Sequence, residues 1–146
     1  MDHFLYKNGV LHAEDVAIPD IVASVGAPFY VYSTATLTRH FQLFDDALAG
    51  MNHLVCYAMK AASNQAILQT LAKLGAGMDV VSGGEYARAR AAGVPGERIV
   101  FSGVGKTRDE MRLAPPGGDL QVNVASDPEM ALLSPAATHI GVQPSI

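Results

Sequence analysis

Two short runs with mixed apolar and polar positions flank Asn8-Gly9 near the start of the chain. Asn-Gly favours the tight turn of a β-hairpin, so Phe4-Leu-Tyr-Lys-Asn-Gly-Val-Leu-His12 is predicted to be a hairpin. Ile18 to Val25 predicts a short helix, closed by Gly26 and followed by Pro28. Phe29-Tyr-Val-Tyr32 predicts a short strand. Ser33 or Thr34 then caps a helix ending at Gly50, whose apolar stripe is Leu37, Phe41, Phe44 and Leu48, at steps of 4, 3 and 4.

From Leu54 onwards one unit repeats: an apolar strand, a capping signal and a helix. Leu54 to Met59 is followed by Ser63 and a helix to about Leu74. Met78-Asp-Val-Val81 precedes Ser82-Gly-Gly-Glu85, Ile99-Val-Phe101 precedes Thr107-Arg-Asp-Glu110, and Leu120-Gln-Val-Asn-Val124 precedes Ser126-Asp-Pro-Glu129. Each of these three tetrads has the form of a capping box, in which hydroxyl and glutamate satisfy helix N-terminal amides reciprocally. Alternation at this spacing predicts parallel βαβ units with right-handed crossovers. Four units amount to half of an eight-stranded barrel. A whole barrel takes roughly 250 residues. The sequence has 146, and a fifth strand falls due near Val142.

The first strand carries the most informative residue. With a period of 2, Leu54, Cys56, Ala58 and Lys60 share one face, and Val55, Tyr57 and Met59 share the other. Lys60 is thereby expected at the C-terminal mouth of a parallel sheet, where sites of this class are built. Small Cys56 and Ala58 leave room for a flat group beside its amine. Partly apolar surroundings would make that amine a usable nucleophile towards aldehydes. A surface lysine fraying from a strand end is the plain alternative. Asp79 interrupts an apolar strand, where an unpaired carboxylate is costly, so it should face a polar cavity or a cation, with Lys60 as an available partner. Glu85 is already accounted for by its capping position and is at most a supporting residue. Lys106 follows the third strand and rivals Lys60, but its place at the start of a polar helix suggests a solvated role. Lys73 lies late in its helix, where a cation is favourable.

Composition narrows the class. The formal charge of −4, without a basic cluster, argues against nucleic acid as a partner. No apolar run approaches the roughly 20 residues of a membrane span, and Met1-Asp-His-Phe-Leu-Tyr-Lys lacks the pattern of a signal peptide. The single cysteine, Cys56, excludes an internal disulfide, and the five histidines show no metal-ligand spacing. A soluble cytoplasmic protein without a bound metal is the expectation. Ser102-Gly-Val-Gly-Lys-Thr107 is not a nucleotide loop, because Val100 stands where the first glycine is needed. Gly75-Ala-Gly77 precedes its strand and lacks the third glycine of a dinucleotide fingerprint.

Three motifs in order, Tyr57-Ala-Met-Lys60-Ala-Ala-Ser-Asn64, Leu74-Gly-Ala-Gly-Met-Asp79-Val-Val-Ser82-Gly-Gly-Glu85 and Arg98-Ile-Val-Phe-Ser102-Gly-Val-Gly-Lys-Thr107, closely resemble the diaminopimelate decarboxylases. These are pyridoxal-phosphate decarboxylases with an alanine-racemase-like barrel. The resemblance runs from about Phe4 to the C-terminus, is strong between Ala27 and Met111, and weakens after Ala114. It implies an α/β fold comprising the N-terminal half of a (β/α)8 barrel. Residues 1–32 would belong to a second β-domain and residues 33–146 to a partial cofactor-binding barrel. The lysine matching Lys60 forms the Schiff base with pyridoxal phosphate in that family. Ala58, Asp79 and Glu85 fall on the cofactor side, and an amino acid, meso-diaminopimelate, would be decarboxylated to lysine.

The sequence also departs from the family. Pro115-Pro116-Gly117-Gly118 should end a helix early, Asp119 and Ala125 replace expected apolar and acidic residues, and Pro135 sits within the final helix. The family's ring-stacking histidine, its glycine-rich phosphate loop and its acidic partner for the pyridine nitrogen have no match here. The family suggests a homodimer. The isolated chain is expected to self-associate and to lack activity. Decarboxylation of ornithine, arginine or carboxynorspermidine, and a non-catalytic half-barrel that binds a partner, remain the alternatives.

Overall fold

The computed structural model describes residues 2–113 and 121–140. They fall into two compact units, Met1–Ala49 and Gly50–Ile146. The boundary expected from sequence, between Tyr32 and Ser33, lies inside the first unit, just before its long helix.

The first unit opens with an antiparallel sheet, β1 (Phe4–Lys7), β2 (Val10–Ala13) and β3 (Val16–Ala17), in that order. Asn8 and Gly9 join β1 to β2 with φ values of 51° and 80°. Two consecutive left-handed residues match the twist of the flanking strands, which is why this dipeptide makes the turn. The two-residue β3 is too short to show a period. Helix α1 (Ile18–Val25) has the expected bounds, with Gly26 at its C-cap at φ 78°. Helix α2 (Thr34–Ala47) is capped by Ser33, whose Oγ accepts the Thr36 amide at 3.0 Å.

Two expectations fail in this unit. Phe29–Tyr32 forms no strand: a strand exists through its ladder, and this segment has no partner among the described strands, leaving Tyr30 91% exposed. Helix α2 stops at Ala47 rather than Gly50, and Phe44 of its apolar stripe is exposed.

The second unit is the repeating part. Strands β4 (Cys56–Ala58), β5 (Gly77–Val80), β6 (Ile99–Phe101) and β7 (Gln121–Val122) form a parallel sheet in sequence order. They alternate with α3 (Gln65–Lys73), α4 (Gly83–Ala91), α5 (Arg108–Met111) and α6 (Asp127–Ile140). Sequential parallel strands separated by helices are the arrangement of a barrel segment. Asn64, not Ser63, caps α3, its Oδ1 accepting the Ala66 amide at 2.9 Å. The Pro115–Gly118 run and Asp119 lie outside the described residues.

Register separates the two faces of this sheet. Met78 pairs with Ile99, and Val80 with Phe101, which in turn pairs with Val122. All five are essentially without solvent exposure. Together with Ile67, Leu68 and Leu71 of α3 and Ala89 of α4 they supply the buried core. The opposite face carries the row Ala58, Asp79, Val100 and Gln121, which is only partly covered.

Candidate functional site

Lys60 lies two residues beyond Ala58, the last residue of β4. The strand does not extend to it. A 3-10 turn spans Met59–Ala61, so the strand alternation used to place Lys60 in phase with Ala58 ends before reaching it. The turn leaves Met59 fully buried and Lys60 exposed. Apolar enclosure of the amine, expected from Cys56 and Ala58, is therefore not built. No hydrogen bond or ion pair engages that amine among the described residues. Tyr57 Oη donates to the Ala62 carbonyl at 3.1 Å, tying strand and turn together.

Asp79 occupies the sheet row immediately beside Ala58, on the face opposite Met78 and Val80. Its Oδ1 is buried and accepts no hydrogen bond. The anticipated ion pair with Lys60 is absent, because the 3-10 turn carries the amine outwards while the carboxylate stays at the sheet. Cys56 lies on the same face, with Gly77 as its register partner. Burial, with the Asp79 charge adding, pushes its thiol above the ordinary range. Gly77 must stay small, since a Cβ there would stand 2.6 Å from the Arg98 carbonyl oxygen and 2.7 Å from Cys56 Sγ.

Glu85 is committed to the turn beneath α4. Ser82 Oγ accepts its amide at 3.2 Å, while its own Oε2 accepts the Val81 amide at 2.8 Å. The return bond goes to the residue before the cap, so the box expected at Ser82 is displaced by one position. Glu129 does the same, accepting the Ala125 amide at 2.9 Å. Among these three tetrads only Thr107 and Glu110 close the reciprocal box.

Lys106 is not solvated, contrary to expectation. Its side chain is 1% exposed, and its ammonium donates to Glu129 Oε2 at 3.1 Å and to the Asn123 carbonyl at 2.7 Å, above the Phe101 ring. Glu129 lies 23 residues downstream, so nothing local in the sequence announces the partner. The Ala125 amide, with the Lys106 amide and ammonium adding, holds the Glu129 carboxyl down to about 2. Sequence reasoning missed this pair entirely. Lys73 ends α3 exposed, on the helix side. No group of three metal-ligating side chains gathers among the described residues.

The geometry thus offers one unengaged amine near the end of β4 and one orphaned carboxylate oxygen on the neighbouring strand. The family profile described as "Pyridoxal-dependent decarboxylase, pyridoxal binding domain" matches residues 34–143, three quarters of the chain. The chain belongs to this family. Diaminopimelate decarboxylase of Pseudomonas fluorescens is 49% identical over the whole of this chain, which covers 35% of that protein. A crystal structure from Aquifex aeolicus superposes with a TM-score of 0.90 at 38% identity, over 97% of this chain and 36% of that one. The diaminopimelate decarboxylase of Helicobacter pylori complexed with L-lysine gives 0.81 at 38% identity, over 86% and 32%. The chain spans about a third of the length of the curated relatives it matches.

Membership settles the fold as the N-terminal part of the α/β barrel and the cofactor as pyridoxal phosphate. The residues present fit that group: an aldehyde calls for a primary amine free of partners, and Asp79 Oδ1 is a buried acceptor with nothing yet to accept. No helix among the described residues is long and apolar enough to cross a membrane.

Proposed function

We propose that this chain supplies the lysine side of the active site of a diaminopimelate decarboxylase, which converts meso-diaminopimelate to L-lysine and carbon dioxide in the cytoplasm. The observation that carries this reading is the unengaged Lys60 amine just past Ala58, whose register partner Asp79 keeps an unsatisfied buried oxygen. Lys60 would hold the cofactor covalently through Nζ and release it to the amine of the substrate. When bound, pyridoxal phosphate supplies an electron sink for the pair left behind as carbon dioxide departs. Asp79 would orient a polar group of the cofactor by accepting its proton at Oδ1. Ala58 leaves the sheet face open beside it, and Glu85 fixes the turn through which β5 enters α4.

The antiparallel sheet of residues 4–17 supports assigning residues 1–32 to a second, β-rich domain. Among the described residues β4 and β7 are the outer strands of the parallel sheet, and unpaired strand edges favour self-association, so decarboxylase activity is assigned to a longer, homodimeric assembly rather than to these 146 residues.

A hybrid tests the function: these residues replace the matching part of the Pseudomonas fluorescens relative, and carbon dioxide release is followed. Turnover of meso-diaminopimelate that disappears in Lys60→Ala is expected. Turnover of ornithine or arginine in its place, or an inactive hybrid, contradicts the reading.

A further inference from the structure

Carboxylates that reach backwards along the chain stitch the C-terminal rim of the parallel sheet. In α5, Glu110 closes its own capping box by accepting the Thr107 amide at 2.9 Å through Oε2. Its other oxygen, Oε1, accepts the amide of Gly83 at 2.8 Å, at the start of α4 and 27 residues earlier. In α6, Glu129 repeats the device. Oε2 accepts the Ala125 amide of its own turn at 2.9 Å, and Oε1 accepts the backbone amide of Lys106 at 3.1 Å. Neither backward bond is needed to cap the helix that carries the glutamate.

The glycines at these turns match the arrangement. A Cβ on Gly83 would stand 3.2 Å from Glu110 Cγ and 3.1 Å from Leu113 Cδ1, tighter than ordinary contact. A Cβ on Gly103 would stand 2.2 Å from the Val81 carbonyl oxygen, so the turns after β5 and β6 already touch. The first of these turns directly follows Asp79 and Val80. The second follows β6, where Asn123 Nδ2 donates to Ser102 Oγ at 3.1 Å.

We propose that Glu110 and Glu129 are positioning residues of the cofactor-binding face. Each fixes the mouth turn of the βα unit before its own, Glu110 the turn that follows Asp79 and Glu129 the turn that carries Lys106. A unit's mouth is then complete only once the next helix has docked. The cofactor half of this proposal rests on the function proposed above; the stitching does not.

Hydrogen exchange read by mass spectrometry on the 146-residue chain tests the stitching, using Glu110→Gln, Glu110→Asp, Glu129→Gln and, as control, the exposed Glu97→Gln. A glutamine has one acceptor oxygen where two are used, and an aspartate keeps an acid at the helix start without the reach. Loss of a charged hydrogen bond should speed exchange roughly tenfold or more at the amide it held. Both Glu110 variants should therefore loosen the Val81–Gly84 turn, and Glu129→Gln the Ser102–Lys106 turn, with β4 unchanged. Faster exchange confined to the variant's own helix, or spread evenly over the chain, overturns the proposal. Borohydride trapping of pyridoxal phosphate on the same samples tests the functional half. A severalfold lower trapped fraction at Lys60 in the variants is expected, and unchanged trapping despite a loosened turn overturns it. Failure to trap at Lys60 in the unaltered chain contradicts the proposed function instead and leaves the exchange result standing.

Discussion

Glu129 grips Lys106 twice, at its backbone amide through Oε1 and at its ammonium through Oε2, both at 3.1 Å. With each side chain at most 5% exposed, neither charge has water to fall back on. Removing one partner strands the other, which costs about 3–5 kcal/mol, whereas replacing both by apolar groups of similar volume is often close to neutral. Lys106→Met and Glu129→Leu should each destabilise by about that amount in urea unfolding. The double variant should recover most of the loss but not all, because Glu129 also holds the Ala125 amide. Additive losses would show that the pair is not coupled.

The same carboxylate sets a pH dependence. Glu129 has its folded value held down to about 2 from an ordinary 4.5, and Glu110 is also lowered, first by the Thr107 amide and then by the Gly83 amide. A depressed carboxylate stabilises the fold in full above its unfolded value, and the contribution drains away as pH falls through the folded one. Unfolding free energy should therefore decline as pH drops from about 4.5 towards about 2, with at most about 1.4 kcal/mol per pH unit for each proton taken up. Glu129→Gln should flatten that slope by up to one proton's worth. An unaltered slope would refute the assignment.

Cys56 reports on Asp79. Because it is the chain's one cysteine, any thiol label is unambiguous. Burial is the larger cause of its raised value and the Asp79 charge the smaller. Asp79→Asn should lower the thiol only part of the way and speed alkylation at fixed pH by about two- to fivefold. No change in rate would place the carboxylate away from the thiol and off the shared face.

Features set by adjacent residues were legible in the sequence. Asn8-Gly9 carries its own turn, Gly26 its own helix stop, and Ser33 its own cap, each determined within a few positions. The repeated strand-cap-helix pattern gave the sheet order for the same reason. Features set by tertiary partners were not legible. Lys106 looked solvated because its carboxylate lies 23 residues ahead. Lys60 looked like a strand residue because nothing local shows that Met59 turns inward and ends the alternation. Phe29–Tyr32 has the composition of a strand without a neighbour to pair with. Asp79 was legible as a polar interruption, but its lack of a partner was visible only once the turn had carried Lys60 away.

Lys60 is the residue proposed to hold pyridoxal phosphate, and reductive trapping reads out which lysine the aldehyde reaches. The chain is incubated with pyridoxal phosphate, reduced with borohydride and digested, and the labelled peptide is mapped. Label concentrated on Lys60, and lost in Lys60→Ala, is the result expected from an exposed, unengaged amine just past β4, since Lys106 is buried in its ion pair and Lys73 lies at the C-terminal end of α3. Preferential labelling of Lys106 or Lys73, or label spread evenly over the lysines, would contradict the account.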